Sequence, residues 1–166
     1  MIATGIPLRD VGPIWRHAWP LLERATRRTD GGTEEEVIQR LLQGDAQLWG
    51  IFDGQGFGGQ APATSDLPAA ALAKAGAPQE RRKMIAAATT QITLIGEKGC
   101  RLWLVGGSRM DEWAADFLAE VETWARSLGC THVWGTQSRA GWRRIVRLFG
   151  GAPIVVDGKA SWMRRF

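Results

Sequence analysis

Residues 99–135, GCRLWLVGGSRMDEWAADFLAEVETWARSLGCTHVWG, decide the fold. Arg101–Val105 is a short run of apolar and aromatic side chains, the composition of a buried strand. Gly106 and Gly107 break it. Ser108 stands three residues before Asp111, the serine–acid spacing of a capping box that opens a helix. Trp113, Phe117, Val121, Trp124 and Leu128 then recur at steps of three and four, so they share one helical face. Gly129 ends the helix, and Cys130–Trp134 reads as a second strand. The two strands open alike, as Gly99-Cys100 and Gly129-Cys130, which makes the stretch a βαβ unit with its crossover helix. What the glycine turn binds is the functional question.

Upstream, Ile85–Ile95 (IAAATTQITLI) reads as a long strand, and Gly96-Glu97-Lys98-Gly99 turns it into Arg101–Val105 as an antiparallel hairpin. Residues 54–83 are dominated by Gly, Ala, Pro and Ser, with an Ala-rich helical stretch near Leu67–Ala75. A connection this long in a compact domain is a functional flap, an interaction loop or disorder, and we expect a mobile or partner-ordered insertion rather than an active-site lid. Gln47–Phe52 is a strand followed by a turn at Asp53-Gly54. Before it, Thr33 and Glu36 form a capping box for a helix through Val37, Leu41 and Leu42 that Gly44 closes. Asp10 is placed to cap a first helix with Val11, Ile14, Trp15, Ala18 and Trp19 on its apolar side, and Pro20 should kink or restart it. Residues 27–32, RRTDGG, are a loop.

Downstream, Ser138 can cap a helix to about Phe149 that carries Arg139, Arg143 and Arg147 as a stripe, and Gly150-Gly151 stops it. Ala152–Val156, the turn Asp157-Gly158 and Ala160–Arg165 form a last hairpin. The expected class is therefore α/β: one domain over 1–166, with a mixed, mostly antiparallel sheet of six or seven strands and helices on both faces.

Composition bounds the function. At 166 residues, 45% hydrophobic and 23% charged, the chain is long enough for one cored domain. No run approaches a membrane span, and MIATGIPLRD lacks the regions of a signal peptide, so a cytoplasmic protein is expected. Two cysteines make no disulfide framework; they open the two central strands and read as neighbouring buried thiols. Residues 129–166 hold seven basic side chains against Asp157 alone. That tail suits a phosphate, the acidic helix before it, or plain solvation, and does not by itself make nucleic acid a partner. The chain contains no tyrosine and no asparagine.

In the strings GDAQLWGIFDG, CRLWLVGG and EVETWARSLGC, and in a final helix bearing GW, the chain resembles the GCN5-related N-acetyltransferase (GNAT) superfamily. The likeness covers nearly the whole chain except 54–83, and is nearest to short acetyltransferase-like proteins encoded among tailed-phage structural genes. It implies a short first strand and a cleft where the two central strands splay apart. Acetyl-coenzyme A, or another acyl-coenzyme A, would lie there as cofactor. Leu102–Val105 would then bind the acyl and pantetheine part through main-chain groups, Leu104 and Val105 closest to the turn. Gly106, Gly107, Ser108 and Arg109 would form the phosphate turn at a helix N-terminus. The family pattern there is Arg or Gln, two residues, Gly, one residue, Gly or Ala. Arg109 fills its first position and Ala114 its last, while Glu112 replaces the first glycine. Asp111 and Glu112 are expected to satisfy the helix end themselves.

Many members of the superfamily protonate the departing thiolate with a tyrosine in the last helix and place an asparagine nearby; this chain has neither. The candidate for proton transfer is His132, whose free pKa lies near neutrality. Alternation places it on one strand face with Trp134, a pattern equally met by a buried, hydrogen-bonded histidine. His17, Asp53, Glu97 and Cys130 suit solvated or structural places better. The arginine stripe reads as a ribose-phosphate grip, a nucleic-acid contact or a solvated face. Two functions follow from the resemblance. One is an N-acyltransferase acting on an amine-bearing small molecule or protein. The other is a non-catalytic phage virion or assembly protein working through contacts with phage structural proteins, located in the infected host or the virion, with an oligomer left open. No metal site is expected.

Overall fold

The computed structural model describes residues 1–27, 32–53, 83–136, 146–147 and 149–166. Among them are seven strands and three helices. The strands are β1 (Ile2–Ile6), β2 (Ala46–Phe52), β3 (Met84–Ile95), β4 (Glu97–Gly107), β5 (His132–Thr136), β6 (Ala152–Val156) and β7 (Lys159–Arg165). The helices are α1 (Leu8–Thr26), α2 (Glu34–Leu42) and α3 (Met110–Ser127). One sheet takes all seven strands in the order β1-β2-β3-β4-β5-β7-β6. Every neighbouring pair is antiparallel except β4 and β5, the pair joined by the α3 crossover.

Helices cover both faces, and strand alternation sorts the core between them. On one face Trp113, Phe117 and Val121 of α3 pack on Ala86, Ala88 and Leu102. On the other, Val11, Ala18 and Leu22 of α1 and Val37 of α2 pack on Ala87 and Leu104. The run Ala86-Ala87-Ala88 serves both layers with side chains small enough for helices to come close.

Several local expectations need correction. α1 begins straight after β1, with Pro7 at its N-cap and Asp10 inside the first turn, so Asp10 does not cap it. Neither Pro13 nor Pro20 ends it; the helix runs 19 residues. Interior proline costs about 3 kcal/mol, and the buried stripe of Val11, Ala18 and Leu22 outweighs it. β4 is longer than Arg101–Val105: it starts at Glu97, directly after a tight turn at Gly96 (φ 70°), and continues through both glycines. The matching Gly-Cys openings are not equivalent, because Gly99 pairs with His132, three residues beyond Gly129. Cys100 lies in β4 and Cys130 just before β5; both are buried in the same core layer. Burial, with the second thiol beside it, pushes Cys100 up to about 12, so it stays a thiol.

Other expectations hold. Thr33 Oγ1 accepts from the Glu36 amide at 3.3 Å, and Gly44 follows α2 with φ 78°. Asp157 and Gly158, both left-handed (φ 49° and 73°), make the last hairpin turn. The insertion over residues 54–82, the cap at Ser138 and the arginines 139 and 143 lie outside the described residues; Arg147 is exposed.

Candidate functional site

The central feature is where β4 and β5 part company. They pair in parallel from Gly99↔His132 to Leu102↔Gly135, and there the ladder stops. β5 goes on to Thr136, bonded to β7, while β4 runs five residues further with β3 as its only strand partner among the described residues. A β-bulge marks the point of parting: Thr89 faces Leu104 and Thr90 faces Leu102, so Trp103 is the extra residue. Bulges bend a strand and re-aim its side chains. Along Trp103–Gly107 the β4 edge that faced β5 thus presents main-chain groups without a strand partner among the described residues.

That edge leads to the glycine turn. A Cβ on Gly106 would lie 1.9 Å from the Leu21 carbonyl oxygen of α1, and one on Gly107 would lie 2.4 Å from Ala86 Cβ. Both glycines are therefore already required by protein packing, and Gly107 also has a positive φ of 148°. Ser108 donates its amide to Ile85 O (3.0 Å), and its carbonyl accepts from Trp113 Nε1 (2.7 Å), which fixes the turn to β3 and α3.

Ser108 is not the cap. The N-cap of α3 is Arg109, held left-handed at φ 55°, ψ 39°, and no side-chain capping hydrogen bond is made there among the described residues. Asp111 and Glu112 both stand in the first turn, as expected, but neither makes a capping hydrogen bond among the described residues. Glu112 instead takes Arg109 bidentately, Nε–Oε1 2.8 Å and Nη2–Oε2 2.6 Å, and Arg109 Nη1 reaches Asp53 Oδ2 at 2.8 Å. The Arg109 guanidinium holds the Glu112 carboxyl below the usual carboxylate range. Glu112's charge is thus offset by its own neighbour, which leaves Asp111 as the acid facing the positive end of the helix dipole. Leu104 is buried, Val105 half-buried, and Gly107, Ser108 and Arg109 exposed; Ala114 is buried where α3 meets the sheet.

His132 is not brought into this group. It starts β5 beside Gly99, at the far end of β4, roughly 25 Å from Gly107 at strand rise. Its ring is fully buried and lies over Gly99, where a Cβ would meet Nε2 at 2.1 Å. Thr131 Oγ1 is 3.0 Å from Nδ1 and donates to Glu97 Oε2 (3.0 Å), which Arg165 also holds. Burial first, then Arg165, lowers the imidazole's pKa, with Glu97 opposing. The catalytic part expected of His132 does not fit this sealed position. His17 is exposed and accepts from Arg16 Nε. Among the described residues no His/Cys/Asp/Glu group is placed to hold a metal ion, and no helix is long and apolar enough to cross a membrane.

One pair was missed from the sequence. Arg101 and Trp103 alternate onto the α1/α2 side of β4, next to Arg40 of α2 and Trp134 of β5. The available signal was the arginine itself, the only charge inside the run RLWLV.

Comparison with known proteins places this geometry. No family model matches the chain, and no curated protein does. Solved structures do match over nearly full length. An aminoglycoside 6'-acetyltransferase type Ii aligns over 99% of this chain and 97% of its own, at TM-score 0.64 and 9% identity. The GNAT domain of S. lividans PAT aligns over 99% and 89%, at TM-score 0.60 and 10% identity. The fold is that of the GCN5-related N-acetyltransferases. Arabidopsis thaliana NAA60, solved with a bisubstrate analogue, aligns at TM-score 0.51 and 14% identity over 98% of this chain and 95% of its own. At such identities the likeness is one of fold alone.

Proposed function

We propose that the chain is an N-acyltransferase that takes its acyl group from acyl-coenzyme A and delivers it to an amine. The observation that carries this reading is the β4 edge from Trp103 to Gly107, which has no strand partner on the β5 side among the described residues and leads into a helix start where none of them makes a side-chain cap. Acyl-coenzyme A matches those features chemically: amide groups for an open strand edge, and a pyrophosphate for a helix N-terminus. When bound, it supplies a thioester activated for attack by an amine.

The chain's own residues bind and orient. Main-chain groups of Trp103, Leu104 and Val105 would run alongside the pantetheine amides. The turn of Gly106, Gly107, Ser108 and Arg109 would hold the pyrophosphate, with Ala114 letting α3 sit close to the sheet. Arg109 stands beside the anion's position, shared with Glu112 and Asp53. With no tyrosine in the chain to serve as an acid, the rate enhancement rests on alignment, which in well-oriented systems supplies about 7–11 kcal/mol of the barrier. No observation on the described residues favours the alternative of a non-catalytic phage virion or assembly protein.

Calorimetric titration with acetyl-coenzyme A tests the reading. Binding with a rise in melting temperature is expected. Arg109→Gln should weaken it, and Glu112→Gln, which releases Arg109, should strengthen it. No heat and no change in melting temperature at millimolar ligand would overturn the reading.

A further inference from the structure

The face of β4 opposite α3 carries two cations set on tryptophan. Arg101 Cζ lies 5.3 Å from the centre of the Trp134 ring, and Arg40 Cζ lies 5.4 Å from that of Trp103. Trp134 is fixed in turn by donating Nε1 to Thr93 Oγ1 at 3.0 Å. Both rings are buried, 5% and 7% exposed, so they form a rigid apolar floor under the guanidinium planes.

The guanidinium groups are poorly satisfied. The Arg101 side chain makes no ion pair and no hydrogen bond among the described residues, and its Nε–H is buried without an acceptor. Arg40 Nε is buried in the same way, its one ion pair being the 3.2 Å contact from Nη2 to Glu36 on its own helix. Burial first, then Arg40, disfavours Arg101's charge, and Asp157 at the β6–β7 turn opposes them without forming a salt bridge to it. Buried donors lacking partners are uncommon in native structures, and two cations gathered on one face repel each other. An oxyanion accepted by both would relieve both costs, and guanidinium forks suit carboxylate and phosphate.

The patch lies where the chemistry would need it. Arg101 pairs with Trp134 one step before the β4–β5 ladder ends at Leu102↔Gly135, and Trp103 is the bulge residue beside the parting. We infer that the amine acceptor carries an anionic group, carboxylate or phosphate, and that Arg101 and Arg40 hold it over Trp103 and Trp134. This names the substrate class of the cleft and rests on the acyltransferase reading for its function, though not for its binding. A polycationic acceptor would be repelled by the same residues.

The test is binding of simple amines to the full chain, followed by calorimetry and tryptophan fluorescence without coenzyme A. β-Alanine supplies the carboxylate, phosphoethanolamine the phosphate, ethanolamine the control with an amine but no anion, and spermidine the polycation. Saturable binding of at least one anionic amine at millimolar concentration is expected, with ethanolamine and spermidine silent. Whichever anion binds identifies the group. Arg101→Gln should weaken it about tenfold or more, Arg101→Lys less, and Arg40→Gln by a smaller factor. Should Arg101→Gln fail to fold, Arg40→Gln alone carries the comparison. Equal or tighter binding of ethanolamine or spermidine, no binding of either anion, or variants within twofold of the parent would overturn the proposal. A parallel acetyl-coenzyme A titration separates the failures. Anion binding without coenzyme A binding would sink the acyltransferase reading and keep the anion site; the reverse would do the opposite.

Discussion

The two ends of β4 use glycine for the same physical purpose and arrive at opposite results. At the start of the strand, Gly99 lets the imidazole of His132 lie on the backbone, and that end is closed by pairing with β5 and by the Glu97–Thr131 network. At the finish, Gly106 and Gly107 admit the backbone of α1 and the side of β3, yet β5 has already left and no described strand takes its place on that edge. A glycine in a strand signals close approach of something. It does not say whether the visitor is a side chain, a helix or a phosphate; the neighbouring ladder does.

The sharpest way to break that comparison is to fill the glycines. Gly106→Ala should be the most damaging, because its Cβ meets a main-chain carbonyl that cannot swing aside. A loss of roughly 3 kcal/mol in urea unfolding is expected, and a loss under 0.5 kcal/mol would show that α1 sits elsewhere. Gly99→Ala should cost about 1–3 kcal/mol, since the obstacle is a buried ring. His132→Ala should recover much of it in a double-mutant cycle, with coupling of about 1 kcal/mol or more; strict additivity would refute the contact.

A third measurement concerns pH. Folding lowers the pKa of His132 from its ordinary 6.5, so the unfolded chain takes up the proton more readily. The stabilisation is full above that value and is lost as pH falls from it through the folded-state pKa. Unfolding free energy of the parent should therefore fall below pH 6.5, and His132→Gln should flatten that limb; an unchanged limb would free His132 of the role. Least affected should be Asp53→Asn, which removes one exposed partner of Arg109 and should shift stability by less than about 1 kcal/mol. A larger loss would show that the turn depends on this ion pair.

The sequence made the strands and α3 legible because their periods and punctuation are local. The step-of-four face of Trp113, Phe117 and Val121 and the hairpin at Asp157-Gly158 needed no tertiary information. The helix starts were misread where packing overrides local signals: Pro20 stays helical because Leu22 and Ala18 are buried, and Ser108 loses the cap to a left-handed Arg109. The site was harder still. Gly106-Gly107 suggested phosphate, but their contacts are with Leu21 and Ala86. Glu112 read as a residue that satisfies the helix end, but its carboxylate is held by Arg109. Arg101 passed for one residue of a strand, because only the fold brings it to Arg40 and Trp134.

The single extra residue at Trp103 sets the reading frame of the whole strand. Above it, Gly106 must face α1; below it, Cys100 and Leu102 must face α3 while Arg101 faces the opposite layer. Delete one residue there and, with the upper half pinned by its glycines, every side chain below changes sides. Leu102 would turn toward the arginine layer and Arg101 toward Phe117. The bulge is thus the punctuation that allows one strand to be hydrophobic for one helix and cationic for another.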